Sequence, residues 1–379
     1  MKSIGIITLD DSFLLGNYGT FLQHLSLRRF VERLGYRCRR ILRKNDSPSR
    51  AATIFRIVKR LLSIPWHVLR AGAGVLDEFR IQTCCARQMA LFRRDYERLL
   101  GKSGQEVDIG MCDGIIIGGD QVWNDADDLV FGIGHREGCK VICYAASADW
   151  LQLSGDAVWL EKARRELPVF EAISVREDSG VKLLNEEIKF PKKIVRVCDP
   201  VFLNDKWFYL NLVSNEKILK KPTLLCYILN IWESADFYME YYKSIAAGLG
   251  VNFKIVGIQG TERHLRRRDR KTPSPCDYIR MFRDAEYVIT NSFHGVCFSL
   301  LFGRQFVCIK QRETSNSSQN VRNIELLGRL HLENRICDVD CQKECLIALL
   351  KTRIDFECVD AVLGEERKFS AEWLRQALQ

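Results

Sequence analysis

The residues best suited to chemistry lie where a short apolar stretch meets a longer one in the second half of the chain. The pattern predicts a buried strand at Tyr287–Thr290, a tight turn at Asn291–Gly295 and an apolar helix at Val296–Phe302. A strand that turns directly into a helix leaves unpaired N–H groups and the positive end of the helix dipole at the turn. Because such an end attracts anions, His294 in this turn stands beside a natural site for phosphate. The alternative is a core histidine bonded to a backbone carbonyl.

Arg176 is a second candidate, because it directly follows the apolar stretch Ile173–Val175. A guanidinium at the end of a strand can hold a carboxylate or a phosphate through two parallel hydrogen bonds. The alternative is an ion pair with one of the adjacent acids, Glu177 or Asp178.

The elements that must position these residues follow a repeated order of strand, loop and helix. The first half begins with a predicted strand at Ile4–Leu9 and a helix at Thr20–Leu34, and the second half begins with a strand at Thr223–Ile228. This alternation predicts mostly parallel sheets covered by helices, with ligands at the carboxyl ends of the strands. We expect two α/β domains, 1–205 and 206–379, that face a cleft, with the last helices packing back on the first domain.

Composition argues against several classes of protein. The formal net charge of +9 favours acidic small molecules or an anionic surface, but no zinc-finger or RNA-binding pattern accompanies it, so nucleic acid is not expected. No apolar run is long enough to span a bilayer, and the residues after Lys2 predict a strand and not a signal peptide. Fifteen scattered cysteines without such a signal indicate reduced thiols, so we expect a cytoplasmic protein.

Three cysteines near the C-terminus have a regular spacing. Cys337, Cys341 and Cys345 recur every four residues, which would place three thiols on one helical face. The spacing matches no usual zinc pattern, so we predict structural thiols and no metal.

The segment Lys44–Arg70 mixes basic and apolar residues in an amphipathic pattern. Such a segment can lie on an anionic membrane surface, which would bring the protein to the inner face of the membrane. The alternative is an ordinary surface helix that covers the sheet.

Six short motifs resemble, in order, those of the polysaccharide pyruvyl transferase family, and they span most of the chain to about residue 330. They are Gly16–Gly19 followed by Leu22 and Gln23, Gly118–Asn124, Tyr144–Ser147, Ile173–Glu177, Asp199–Pro200, and Thr290–Gly295. The resemblance implies two Rossmann-like domains arranged as in the two-domain, GT-B-like glycosyltransferases. It also implies transfer of a carboxyethylidene (pyruvate ketal) group from phosphoenolpyruvate to a sugar of a cell-surface polysaccharide or of its lipid-linked precursor. Phosphate would be released, and no cofactor besides the donor would be required.

The resemblance assigns roles to the two candidates above. His294 would either protonate the methylene carbon of phosphoenolpyruvate or hold the phosphate as a cation, and Arg176 would grip one of the donor's charged groups. The further donor-binding candidates are Ser292, Gly295, Arg322 and Lys310. The acceptor-binding candidates in the first-half loops are Asn17, Tyr18, Gly19, Asp120, Gln121 and Asn124. For the Asn and Asp residues among them, the alternative is an Asx turn or a helix cap.

One departure from the family pattern affects the donor site. Some relatives carry an arginine two residues before the site histidine, where this chain has Ser292. The missing anion contact would then come from Arg322 or from the basic loop Arg266–Arg268.

Two other functions remain open from the sequence. The first is a nucleotide-sugar-dependent glycosyltransferase with the same two-domain layout, although no acidic residue is placed to bind a ribose. The second is a non-catalytic partner in a polysaccharide assembly complex, docked to a surface through Lys44–Arg70.

Overall fold

The computed structural model of the protein describes residues 2–9, 17–41, 90–101, 107–124, 127–229, 235–256, 273–311 and 318–379. Gly16, the Lys44–Arg70 segment and the Arg266–Arg268 loop lie outside these ranges, so the predictions on them stay predictions.

The first half contains a six-stranded parallel sheet in the order β2-β1-β3-β4-β5-β6. Its central strands are buried along nearly their whole length, as expected when helices cover both faces of a parallel sheet. The strands are β1 Ser3–Ile7, β2 Arg37–Arg40, β3 Gly114–Gly118, β4 Lys140–Ala146, β5 Ala172–Val175 and β6 Val195–Arg196.

The second half contains a five-stranded parallel sheet in the order β11-β10-β9-β7-β8. In both sheets the first strand of the half lies between the second and third, so the strand order reverses there. Open α/β sheets bind ligands at the carboxyl ends of the strands beside this reversal. The strands are β7 Thr223–Tyr227, β8 Asn252–Ile255, β9 Tyr287–Thr290, β10 Gln305–Ile309 and β11 Ile336–Cys337.

Helices connect and cover the strands. In the first half they are α1 Tyr18–Arg33, α2 at 90–100, α3 Trp150–Ser154, α4 Ala157–Glu166, α5 Asp178–Leu183 and α6 Lys206–Leu210. In the second half they are α7 Ala235–Leu249, α8 Pro275–Asp284, α9 Phe293–Leu301, α10 Ser318–Arg329, α11 Lys343–Lys351 and α12 Phe356–Leu378. Among the described residues, no helix combines the length and apolar character that a membrane span requires.

The predicted turn after β9 is wrong in its extent, because helix α9 already begins at Phe293. The side chain of Ser292 accepts a hydrogen bond from the backbone N–H of Gly295 and caps the helix, as serine commonly does. Gly295 is therefore part of the helix, where a Cβ atom would lie 2.9 Å from Cβ of Thr290. His294 thus sits in the first turn of a helix.

The prediction that three cysteines share one helical face is also wrong. Cys337 ends strand β11, Cys341 lies in the turn that follows, and only Cys345 is in helix α11. The strand forms because Cys337 pairs with Ile309 of β10, and this pairing overrides the helical spacing. Within the described ranges, no group of three or more His, Cys, Asp or Glu side chains is arranged to hold a metal ion.

The two halves share a continuous apolar core. Tyr18 of α1 stacks on Tyr278 of α8 with ring centroids 4.6 Å apart, and its hydroxyl donates to the carbonyl of Pro273. Helix α12 returns to the first half, where the Ser370 hydroxyl accepts a hydrogen bond from the backbone N–H of Cys198. These contacts set the carboxyl ends of the two sheets in a fixed relation to one another.

Candidate functional site

Side chains that follow strands of both sheets meet at the junction of the two halves. Arg176 directly follows β5 and Asp199 lies just beyond β6, whereas His294 opens helix α9 immediately after β9. Arg322 reaches the same point from helix α10. All four side chains are at least nine-tenths buried, so their charges interact in a medium that screens poorly.

Two glycines at the end of strand β3 place the acidic residue Asp120 in the cluster. Gly118 and Gly119 have φ angles of +137° and +88°, which glycine adopts at little cost and other residues rarely adopt. The turn delivers Asp120, whose Oδ1 lies 4.0 Å from Arg176 Nη2 and 3.9 Å from Arg322 Nη1. Its other oxygen accepts a hydrogen bond from the hydroxyl of Thr20 at 2.8 Å.

Arg176 is held by two carboxylates. Its Nε donates to Glu177 at 2.8 Å and its Nη1 donates to Asp199 at 2.5 Å. Glu177 is itself fixed by the hydroxyl of Ser147 and the indole N–H of Trp150, each at 2.9 Å. Burial disfavours the charged guanidinium, but the surrounding carboxylates outweigh burial and raise the pKa of Arg176 above its ordinary value.

The aromatic ring of Phe293 joins the two arginines. The guanidinium carbon of Arg176 lies 4.1 Å from the ring centroid and that of Arg322 lies 5.7 Å from it. Both contacts fall within the range of cation–π attraction. Burial and the nearby positive charge of Arg176 lower the pKa of Arg322 to about 10, and the carboxylate of Asp120 at 3.9 Å only partly offsets them.

His294 packs between the two halves. Its Nε2 lies 3.7 Å from Asp199 Oδ2, which is beyond hydrogen-bond distance. Its ring lies against the backbone of Gly19, where a Cβ atom would stand 2.7 Å from Cβ of His294 and closer still to the ring. Burial would raise the pKa of Asp199, but the positive charge of Arg176 and the contact with His294 hold it below its usual range.

Each of the three basic side chains keeps one buried nitrogen without a hydrogen-bond partner among the described residues. These atoms are Arg176 Nη2, His294 Nε2 and Arg322 Nε. A buried donor without an acceptor is destabilising by about 1–3 kcal/mol, and more for a charged group. Three such atoms in one cluster therefore indicate a place where an anion completes the hydrogen bonding.

Of the remaining donor-binding candidates, Ser292 and Gly295 lie beside the cluster and Lys310 lies outside it. Ser292 and Gly295 form the capped start of α9 beside His294, so the N–H of Gly295 is occupied by the Ser292 side chain. Lys310 is not part of the cluster, because its Nζ pairs with Asp338 at 3.0 Å on the exposed surface.

Three of the six predicted acceptor-binding residues have structural roles away from the cluster. Asn17 caps helix α1 by accepting from the N–H of Thr20. The side chain of Asn124 accepts from the N–H of Asp149 at 2.6 Å, and Tyr18 is fully buried in the junction core.

The other three acceptor candidates stand closer to the cluster. Gly19 contacts His294 and Asp120 faces the two arginines, while Gln121 follows Asp120 and donates its backbone N–H to it.

Three residues of the cluster were not predicted as site residues: Phe293, Asp199 and Glu177, which was considered only as an ion-pair partner of Arg176. In the sequence, Phe293 was part of the Thr290–Gly295 motif without a role of its own. Asp199 was named only as part of the Asp199–Pro200 pair. Its position just after a strand could have indicated a site residue.

A cavity of about 360 Å³ opens beside the cluster. Its walls come from α3, from α5 and the turn after it, and from α10 of the second half. The buried side chains of Glu177 and Arg322 form its inner end, whereas Leu151, Glu186 and Glu187 are exposed at its mouth.

Comparison with solved structures identifies the fold. Os79 from O. sativa in complex with UDP superposes with a TM-score of 0.52 at 10% identity, covering 99% of this chain and 100% of that chain. The S. aureus MnaA–UDP structure gives a TM-score of 0.51 at 11% identity, covering 99% and 95%. Together with the two parallel sheets, these likenesses confirm the predicted pair of Rossmann-like domains in a GT-B-like arrangement.

The sequence then places the chain within a family. The sequence model of polysaccharide pyruvyl transferase matches residues 17–312, which is well over half of the chain. The protein therefore belongs to the polysaccharide pyruvyl transferase family, a family of transferases, and the resemblance seen in the motifs is confirmed. No individual curated protein matches the chain.

Proposed function

We propose that the protein transfers a carboxyethylidene group from phosphoenolpyruvate to two hydroxyls of a sugar, with release of phosphate. The sugar would belong to a cell-surface polysaccharide or to its lipid-linked precursor. One observation carries the proposal: one buried nitrogen each of Arg176, His294 and Arg322, without a partner in the described part of the chain, lies in a single buried cluster. Membership of the family supports it independently.

The charges of the cluster suit this donor. Phosphoenolpyruvate carries a carboxylate and a phosphate, so its site needs several N–H donors held apart from water. Glu177 and Asp199 already accept hydrogen bonds from Arg176, which fixes that guanidinium with only Nη2 left for a ligand. We assign the donor's anionic groups to Arg176 and Arg322, which approach from different halves of the protein.

His294 is assigned the role of general acid. In its protonated form the imidazole would donate its proton to the methylene carbon of the donor, and Asp199 at 3.7 Å supplies a counter-charge for the protonated ring. The adjacent carbon becomes electron-deficient and bonds to the oxygen of a sugar hydroxyl. The phosphate then leaves as the second hydroxyl closes the ketal, and the two hydroxyl protons restore His294 and protonate the phosphate. This chemistry needs no cofactor besides the donor.

A nucleotide-sugar-dependent glycosyltransferase is the second candidate. The observation that favours it is the fold, since Os79 and MnaA were both solved with UDP.

If the acceptor of the pyruvyl transfer is lipid-linked, the protein must work at a membrane face. We propose that the Lys44–Arg70 segment makes this membrane contact.

Calorimetric titration with phosphoenolpyruvate and with a panel of UDP-sugars tests the donor. We expect the wild type to bind phosphoenolpyruvate and Arg322→Gln to bind it roughly 10- to 100-fold more weakly, as for loss of a hydrogen bond to a charged group. Lys310→Gln is the matched control, because it removes a cation that already pairs with Asp338, and it should bind like the wild type. Binding of a UDP-sugar without binding of phosphoenolpyruvate would refute the proposal in favour of the second candidate.

A further inference from the structure

We infer that the cavity beside the cluster is the acceptor subsite, and that it takes an uncharged hexopyranose. This inference rests on the proposed function, because it assigns the second substrate of the same reaction. It differs from the sequence-based expectation, which placed the acceptor among the loops around Asn17 and Asn124.

The position of the cavity is the first argument. Its inner end is formed by Glu177 and Arg322, and both side chains belong to the cluster that is assigned to the donor. A sugar in the cavity would therefore present its hydroxyls toward the reacting carbon. The volume of about 360 Å³ lies at the lower end of the roughly 300–1,000 Å³ found for small-ligand pockets.

Unpartnered polar atoms on the cavity wall are the second argument. Arg322 Nε and the hydroxyl of Ser179 are buried and have no hydrogen-bond partner among the described residues. Arg322 is only 8% exposed, so its orphaned nitrogen does not simply face bulk water. A sugar hydroxyl in the cavity would satisfy the hydroxyl of Ser179, while the adjacent N–H of Arg322 is left for the anion of the donor.

The chemistry of the walls identifies the class of ligand. Trp150 supplies an aromatic surface at one side, while Lys182, Glu186 and Glu187 supply one cation and two carboxylates near the mouth. Carboxylates accept hydrogen bonds from sugar hydroxyls but repel an anionic sugar. The cavity thus has one carboxylate and one guanidinium at its inner end and one more carboxylate than cations at its mouth, which favours an uncharged ring over a uronic acid.

The walls are held in place by a contact between the two halves. The carboxylate of Glu325 in α10 accepts hydrogen bonds from the backbone N–H groups of Asp178 and Ser179, at 2.6 and 3.2 Å. This cap fixes the start of α5, which carries Ser179 and Lys182, against the helix that carries Arg322. The subsite therefore exists only in the assembled two-domain protein.

The test combines one variant at the mouth with a matched control. Leu151 is 69% exposed and lines the cavity, so Leu151→Trp should narrow the mouth without disturbing the fold. Val158 is 77% exposed on the neighbouring helix and does not line the cavity, so Val158→Trp adds the same ring elsewhere. Phosphate release would be followed with p-nitrophenyl glucoside, galactoside, mannoside, N-acetylglucosaminide and glucuronide as acceptors, and calorimetry would give the affinity for phosphoenolpyruvate.

We expect at least one neutral glycoside to support phosphate release. Its KM should rise roughly tenfold or more in Leu151→Trp, as for a steric block, and stay unchanged in Val158→Trp. The affinity for phosphoenolpyruvate should be equal in all three proteins. Equal KM values in the two Trp variants, weaker donor binding in Leu151→Trp, preference for the glucuronide, or donor binding without any acceptor activity would each overturn the inference. Failure of the wild type to bind phosphoenolpyruvate would instead refute the proposed function, and the inference with it.

Discussion

Gly19→Ala tests whether the position of His294 matters for turnover. A Cβ atom at residue 19 would lie 2.7 Å from Cβ of His294, whereas ordinary contacts begin at 3.4 Å. The difference, 3.4 − 2.7 = 0.7 Å, must come from movement of helix α9 or α1, because a Cβ atom cannot rotate away. Since a displacement of about 1 Å can cost roughly 100-fold in rate, we expect kcat to fall on the order of 10- to 100-fold.

Phosphate release from phosphoenolpyruvate, with a lipid-linked glycan fraction as acceptor, measures this effect. The matched control is Gly364→Ala in α12, where no atom lies within 4 Å of the new Cβ. We expect the control to keep full activity and to gain about 0.4–1 kcal/mol of stability from the stiffer unfolded chain. In Gly19→Ala, overpacking of about 1–3 kcal/mol is partly offset by helix propensity of about 1 kcal/mol, so the variant should fold. Turnover within threefold of the control would refute the assigned role of His294.

Three further predictions concern stability and the junction. Asp199→Asn leaves the buried Arg176 with one charged partner fewer, so urea denaturation should show a loss of about 3–5 kcal/mol, and a loss below about 1 kcal/mol would contradict the ion pair. Because the pKa of Asp199 is lowered in the folded state, its contribution is complete above the unfolded pKa of about 3.9 and is lost as the pH falls through the lower folded value. Asp199→Asn should therefore show a flatter loss of stability in acid, and equal slopes would speak against this linkage. Tyr18→Phe removes the hydrogen bond to Pro273 and should cost about 0.5–1.5 kcal/mol without slowing turnover, whereas reduced activity at unchanged stability would restore Tyr18 as an acceptor residue.

The strands were the part of the fold that local pattern predicted best. The observed bounds of β9 at Tyr287–Thr290 equal the predicted ones, and β10 at Gln305–Ile309 likewise coincides with an apolar run of the sequence. Both are short apolar runs between polar or glycine residues, and such runs leave little freedom in where a buried strand begins and ends. The start of α9 was misplaced because Gly295 suggested a turn, although the structure uses it to let the helix approach Thr290.

Only part of the candidate site could be predicted from the sequence, because local pattern does not show which distant residues come into contact. Arg176 and His294 could be selected by their places at strand ends, which local pattern provides. The contacts that define the cluster, such as Asp199 with Arg176 and Phe293 with Arg322, join residues far apart in sequence. For Asn17 the sequence left a helix cap and a sugar contact as alternatives, and the structure shows its side-chain oxygen capping helix α1.

Transfer of isotope-labelled phosphoenolpyruvate carbon to the glycan tests the central claim most directly. The protein would be incubated with donor labelled at the carbon that bears the phosphate and with the lipid-linked glycan fraction, and the glycan would be examined by NMR. We predict a labelled quaternary ketal carbon with the wild type, a strongly reduced signal with Arg322→Gln and none with His294→Asn. Release of labelled pyruvate without a ketal, or an equal ketal signal from the His294→Asn variant, would contradict the account.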